Sequence, residues 1–516
     1  MLKYSAIRPY LAPTVATVLI AVAATMPGSA QAQSEDKHIT IVMPAEPPDL
    51  EGCQSSRAFQ GRVVKQNIVE TLVWKTPSDG SLKPHLATSW ELADVSNWRI
   101  HLRHGVKFHD GSPFNATTLK RSMDRTINNK EIVCGDRGKF FGSLKVTISV
   151  VDDDTINIHT TPPAPIMPMR LAALAIVGPN ESMTSPSLAP VGTGPYKFDS
   201  WAKGQEIKLA RNEDYWGAKP EATGASYIFR SESTVRASMA ELGEADVAIV
   251  ISEQDANNPK TDYSYLNSET TFLRVDSQIP PLDDIRVRKA LNYALDRKGM
   301  IGTILPSSAL QATQIVMPSI PGHNHELDKK AIPFDPVMAK KLLAEAKADG
   351  VPVDTEIQLI SYPPHFPNAS ELMDAYYLML RDVGFNVKML TVEPGTYSHW
   401  NNKPHPSPRP PTLIQSSHDN NFGDPVFSVY FKFSCAGNTS AMCDPEFDKK
   451  ILNTQKLGGQ ERIDGYKELF RHQYEDLVTS VFMYHMVGFT RVNPRIDFVP
   501  DVTSNAELRI AEWHFK

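Results

Sequence analysis

Apolar residues recur along this chain in two rhythms, and the rhythms take turns. His38–Met43 alternates apolar and polar positions as a short strand, and Pro44-Ala45-Glu46-Pro47-Pro48 ends it in an extended loop. From Ala58 to Trp74 the spacing of Val63, Val64, Ile68 and Leu72 predicts a helix. Leu86–Leu92 and Trp98–Leu102 read as paired strands with a turn at 93–97, and Asn115 is placed to cap a helix carrying Leu119, Met123 and Ile127 on one face. Residues 144–160 give two more strands around Asp152-Asp153-Asp154, read as a solvated turn because consecutive acids on a tight turn cannot converge on one cation. Val191-Gly192-Thr193-Gly194-Pro195 is a backbone-determined turn, and Tyr196, Phe198, Ile207 and Leu209 follow it in two short strands broken at 203–205.

The second half changes character. Residues 227–251 read as strand, helix (Val235, Met239 and Leu242 on one face) and strand, a βαβ unit. The chain loosens at Ile279-Pro280-Pro281. Three helices follow: one capped by Asp284, one capped by Asp335 with Pro336 at its first position and Gly350 beyond its end, and one over Glu371–Val383 stopped by Gly384. Strands are expected at Thr355–Ile360, Phe385–Val392 and Thr412–Ser416, and later at Val481–His485 and Phe489–Val492, with a last helix over Ile463–Leu477. Five prolines between Pro404 and Pro411 predict an extended connector. Helices alternating with strands predict α/β lobes with largely parallel sheets.

The amino terminus adds a compartment. Met1-Leu2-Lys3 and Arg8, an apolar run through Leu11–Ala24 and Ala30-Gln31-Ala32 have the three parts of a cleaved secretory signal peptide over residues 1–32. Its removal takes away Lys3 and Arg8 and makes the net charge of −6 two units more negative. A mildly acidic exported chain does not suit nucleic acid or an anionic membrane surface. Export permits disulfides. Cys435 and Cys443 are close enough in sequence for a local bridge, leaving Cys53 with Cys134, and no C-x-x-C spacing favours a metal.

Catalytic patterns are missing: there is no G-x-S-x-G, no H-E-x-x-H, no phosphate-binding G-x-x-x-x-G-K-[ST] and no dinucleotide fingerprint. His323-Asn324-His325 is the closest histidine pair, and these read as solvated loop residues, so neither a metal nor a cofactor is expected. His418-Asp419-Asn420-Asn421-Phe422 follows a strand, and the carboxyl end of a strand is where α/β sheets bind ligands.

Several blocks in fixed order resemble the periplasmic solute-binding proteins of ABC importers, in the large oligopeptide/dipeptide/nickel class (extracellular solute-binding protein family 5). They are Leu82–Trp90, Leu102–Phe114, Gly192–Tyr196 with Asn212–Gly217, and Asp284–Leu291 with Asp296-Arg297. The resemblance implies a two-lobed periplasmic binding protein fold of type II, with an extra subdomain on lobe I. It assigns 33–65, 190–274 and 487–516 to lobe I, 66–189 to the subdomain and 275–486 to lobe II. It also implies a monomeric periplasmic receptor that closes on a small solute and delivers it to an inner-membrane permease driven by an ATPase. Peptide-binding members hold the free amine with an aspartate before the D-P pair. Asn421 takes that place here, with Asp419 as the substitute, and the loop Ser361–Pro367 lacks the arginine that dipeptide binders use. A peptide, a modified peptide, an opine- or sugar-like conjugate or a metal chelate therefore all fit. On this basis His418, Asp419, Asn420, Asn421 and Phe422 would line the lobe II wall. Tyr362, His365 and Trp400 would add aromatic and switchable groups, and Glu46 and Gln54 would face them from lobe I. A secreted hydrolase, or a receptor presenting its ligand to a sensor protein, is the alternative.

Overall fold

In the computed structural model, residues 37–76, 81–142 and 144–516 are described; the expected signal peptide lies outside them. These residues form an eleven-stranded sheet whose two ends carry separate cores. At the lobe I end the order is Tyr196–Ala202, Glu206–Arg211, Gly224–Phe229, His38–Met43, Val247–Ile251. His38–Met43 lies parallel between the two strands of the expected βαβ unit. Of the face predicted for the crossover helix Ser233–Glu241 only Met239 packs against the core; Val235 and Leu242 are exposed, and Arg236, Ala237 and Ala240 face inward. The small alanines let the helix lie close to the sheet, while the Arg236 guanidinium donates to the carbonyls of Arg230 and Ile249.

At the lobe II end the order is Asp262–Val275, Thr412–Asp419, Ile357–Ser361, Val387–Thr391. Helices Ile285–Ala294, Pro336–Ala348 and Ala369–Asp382 belong to this lobe, and the first two start as the sequence predicts. Asp284 accepts from Arg286 N at 2.7 Å and Asp335 from Met338 N at 2.9 Å.

Two long strands pass from one end to the other. Asp262–Val275 and Ser480–Val492 pair antiparallel over most of their length, with a break in register between Leu266 and Thr270. The break lies ahead of position 275, and at its centre Ser268 has φ +71. Ser480–Val492 is one strand rather than the two expected. Gly488 inside it serves a close approach: a Cβ there would lie 3.0 Å from the Tyr265 ring. The helix expected over 58–74 is likewise shorter, Ala58–Val64. Asn67 ends it, donating from Nδ2 to the carbonyl of Leu508 at 2.7 Å and accepting from Ile510 N at 3.2 Å. The last helix is Gly459–Arg471, continued by a wider turn through Leu477.

A four-stranded antiparallel sheet among the described residues forms the extra subdomain, in the order Ala87–Asp94, Asn97–Leu102, Thr155–Thr161, Lys145–Asp152. At its acidic tip Asp152 accepts from Asp154 N at 2.9 Å, a local turn bond rather than a cation cage. Asn115 caps the helix Ala116–Met123 reciprocally with Thr118. The apolar core of the subdomain is continuous with lobe II, since the ring of Phe140 lies 4.0 Å from that of Phe422 and 5.0 Å from that of Phe427. Both expected disulfides, Cys53–Cys134 and Cys435–Cys443, are formed. One histidine departs from expectation. His323 is buried, not solvated.

The glycine turn and its aromatic sequel meet at a single carboxylate. Gly192 and Gly194 press on the backbone of 67–68, where a Cβ would lie 1.9 Å from the Ile68 oxygen or 2.3 Å from the Asn67 oxygen. This close approach brings Thr193 Oγ1, Tyr215 OH and Trp216 Nε1 to the buried Glu70 at 2.7, 2.8 and 2.9 Å, with His85 Nε2 at 3.1 Å. Removing the carboxylate leaves these donors unpaired. Glu70→Ala is therefore expected to cost about 3 kcal/mol or more in urea unfolding, whereas Glu46→Ala, at a half-exposed site, costs less than about 1 kcal/mol. Equal losses in the two variants would contradict this account.

Candidate functional site

Strand Thr412–Asp419 is buried along most of its length and delivers its carboxyl end between the lobes. There it pairs with Asp262–Val275 so that Asp419 stands directly opposite Glu269. Side chains of directly paired residues share a face of the sheet, so two carboxylates lie side by side. A cleft of about 720 Å³ opens above them. Glu269 and Ser417–Asp419 form its floor and one edge, and Phe427, Tyr430, Phe431 and Lys432 from helix Val426–Phe433 form the lobe II wall. Ser56, Cys134-Gly135 and Gly138-Lys139 form the opposite wall.

That opposite wall is built by the Cys53–Cys134 bridge. Gln54 braces it, donating from Nε2 to the Val133 carbonyl at 3.0 Å and accepting from Gly135 N at 3.3 Å. Asp136 lies behind the wall, accepting from Ser55 Oγ and Ser56 N, and burial pushes its carboxyl up to about 6. Gln54 thus positions the wall and does not itself line the cleft.

Charges in the cleft are strongly perturbed. Burial, and then the neighbouring Asp419, push Glu269 up to about 8, against the pull of Arg62. Among the described residues no side chain gives Glu269 a hydrogen bond or an ion pair. Asp419 is well held: Oδ1 accepts from Ser268 Oγ and Asn421 N, both at 2.8 Å, and Oδ2 accepts from Asn421 Nδ2 at 2.8 Å with Lys139 Nζ at 3.8 Å. Burial, then Arg274 and Lys139, bring Lys432 down to about 7; its Nζ donates to the Ser417 carbonyl at 3.1 Å. The cleft thus pairs an acidic floor with an aromatic wall that ends in an amine.

Of the residues expected to meet a ligand, His418 and Asp419 line this cleft. His418 is spent on Ser428 Oγ, 2.6 Å from its Nε2, and burial holds it well below the usual imidazole range. Asn420 is a staple, its backbone N 2.8 Å from the Ser268 carbonyl and its Nδ2 3.2 Å from Thr270 Oγ1 and from the Ile315 carbonyl. Asn421 is buried, orienting Asp419 while its own carbonyl accepts from Lys75 Nζ at 2.5 Å. Phe422 packs on Phe140, with Lys139 Nζ 4.6 Å above its ring. Tyr362 and His365 cluster with Tyr397, the two tyrosines stacked at 4.4 Å, and burial, then Lys432, push His365 down to about 3. They do not line the cleft, and neither does Trp400, whose carbonyl accepts from Arg274 at 3.0 Å. Glu46 is held by Trp201 Nε1 at 2.6 Å and Gly204 N at 2.9 Å on the outer hairpin.

Sequence reasoning missed Glu269, Lys139, Lys432 and the aromatic face of helix Val426–Phe433. Lys432 had a signal, as the lone charge in the mostly apolar run Val426–Phe433. Glu269 had none, because its place depends on the register break beside it.

The family model for bacterial extracellular solute-binding proteins, family 5 (middle), matches residues 81–440. The dipeptide-binding protein of Escherichia coli K12 is 27% identical over 452 residues, covering 80% of this chain and 82% of the relative. Heme-binding protein A of Haemophilus influenzae is 25% identical, covering 84% of each chain. The solved structure of an ABC transporter-associated periplasmic binding protein from Helicobacter pylori, in complex with peptide STSA, superimposes with a TM-score of 0.77 over 93% of this chain and 98% of that one, at 20% identity. The two-lobed architecture and the extent of the family match show that this chain belongs to the family 5 bacterial extracellular solute-binding proteins.

Proposed function

We propose that the protein captures a small zwitterionic solute, holding its cationic amine over Glu269 and Asp419 and its apolar part against Tyr430 and Phe431, and that it passes this solute to an importer's permease. The family supplies the role of solute-binding component in an ABC importer. The observation that carries the solute class is the unpartnered carboxylate of Glu269, register-paired with Asp419. Burial and the neighbouring Asp419 keep Glu269 from ionising by itself, and an ammonium set between the two carboxyl groups would let it ionise. Lys432 on the lobe II wall and Lys139, 3.8 Å from Asp419, are the cations that would receive an anionic group. The cleft volume falls within the roughly 300–1,000 Å³ usual for ligand pockets.

A peptide is the simplest zwitterion of this kind, and the dipeptide-binding relative supports it. A modified peptide, an amine-bearing opine- or sugar-like conjugate, or a metal chelate with a free amine satisfies the same groups. The chemistry needs no covalent step. Closure about the two long strands would bring Phe140 onto Phe422 and Lys75 onto the Asn421 carbonyl, so solute and lobe contacts together would favour the closed state. Export to the periplasm and a monomeric state complete the reading. No helix among the described residues is long and apolar enough to cross a membrane.

A thermal-shift panel of short peptides, each with a free and an N-acetylated amino terminus, tests the amine requirement. Free forms should raise the melting temperature and acetylated forms should not; equal shifts would refute the acidic-floor reading. Asp419→Asn and Glu269→Gln should each weaken binding of a stabilising peptide at least tenfold, about 1.4 kcal/mol, and Glu46→Ala should leave it unchanged. Protonation gives an independent check. With Glu269 near 8, its carboxyl is mostly protonated at pH 7 and ionises when an ammonium arrives. Calorimetry in buffers of different ionisation enthalpy should show the wild type releasing up to about one proton more than Glu269→Gln. No difference would mean that the amine does not meet Glu269.

A further inference from the structure

We propose that His323, His325 and Asp328, in the loop and short helix of lobe II outside the solute cleft, form a binding site for a divalent transition-metal ion of the zinc type. One ligand atom from each residue lies within 4.8 Å of the others. Imidazole nitrogen with carboxylate oxygen is the donor set that Zn²⁺ and its neighbours prefer. A tetrahedral ion about 2.1 Å from each donor spaces them about 3.4 Å apart. His323 Nε2 and His325 Nδ1 stand 2.8 and 3.7 Å from Asp328 Oδ2, so small side-chain movements admit the ion.

The hydrogen-bond pattern asks for a cation at this point. His323 Nδ1 lies 2.9 Å from the Val316 carbonyl, which can only accept, so that nitrogen carries the proton. In a neutral ring Nε2 then presents a lone pair to the Asp328 carboxylate at 2.8 Å, and two acceptors that close repel. The Gln314 amide, whose other hydrogen goes to the Asn324 carbonyl at 3.0 Å, can donate to Nε2 only at 3.3 Å and does not relieve the closer carboxylate contact. Either a second proton or a metal ion has to sit between Nε2 and the carboxylate. The surroundings favour the metal. A ligating histidine commonly donates its other N–H to a backbone carbonyl, and a ligating carboxylate is itself held by a hydrogen bond. Both supports are present, the second from Thr313 Oγ1 to Asp328 Oδ1 at 2.8 Å.

Competing cations are turned away. Lys329 pairs with Glu326 at 2.7 Å and Lys330 with Glu475 at 2.8 Å. His325 is two-thirds exposed, which leaves the ion open to solvent on one side and a coordination position free for water. Beside the site, 6.1 Å from the His323 ring, His485 has a buried Nε2 with no partner among the described residues. The inference uses no cleft residue, so it stands or falls apart from the solute reading.

The test is calorimetric titration of the chelator-stripped mature protein with Zn²⁺ in a non-coordinating buffer. One ion should bind with micromolar affinity or better. His325→Ala and Asp328→Asn should each weaken it at least tenfold, and His399→Ala, an exposed histidine elsewhere, should not. Because His325 is exposed, the metal-free melting temperature of His325→Ala should match the wild type while its zinc-induced rise is lost. No binding up to about 1 mM zinc, or binding that survives both substitutions, would overturn the proposal.

Discussion

A carboxylate held away from water needs a counter-charge, and in this protein the shortage of one falls where the two lobes face each other. Glu269 and Asp419 are directly paired on adjacent strands, and repulsion between them adds to the cost of burial. The backbone creates this arrangement. The left-handed turn at Ser268 breaks the register of the long strand, and the Ser268 hydroxyl and carbonyl then tie down Asp419 and Asn420. The segment that lets the chain cross between lobes therefore also builds the acidic floor. A solute that brings positive charge relieves the strain and gains the aromatic wall in the same step.

A second charge imbalance lies beside Phe422, outside the lining of the cleft. Lys65, Lys75 and Arg509 surround one carboxylate, Glu507; Lys65 lies 2.8 Å from it and Arg509 pairs with it directly. Burial opposes its ionisation, but Arg509 and Lys65 hold it down at about 2. Burial, then Lys65, lower Lys75 to about 8, and its Nζ donates to the Asn421 carbonyl across the gap. Lys65 also lies 5.1 Å from the Phe422 ring. Such contacts are individually modest, on the order of 1 kcal/mol. They suit a hinge that must open as well as close.

Much of the fold was legible because it rests on local rules. The caps at Asn115, Asp284 and Asp335, the hairpin after Pro195 and the two disulfides follow from residue type and spacing. Gly192 and Gly194 could be marked as special, although not that their purpose is to bring four side chains to Glu70. The crossing strands were harder. Val481–His485 and Phe489–Val492 read as two strands in sequence and are one in space, with Gly488 giving way to the Tyr265 ring. The site was legible only in outline. His418-Asp419 was found from the end of a strand, but Asn421 turned inward to hold Asp419, and Glu46 was taken by Trp201. Glu269 and Lys139 come from distant segments, and only tertiary register and the Cys53–Cys134 bridge bring them to the cleft.

The measurement that bears most directly on the acidic floor is native mass spectrometry of the protein purified from the cells that make it, followed by denaturation and identification of what is released. The account predicts one small molecule per chain carrying a basic nitrogen, either a single species or a family of short peptides. A released solute without any cationic group, bound at full occupancy, would contradict it.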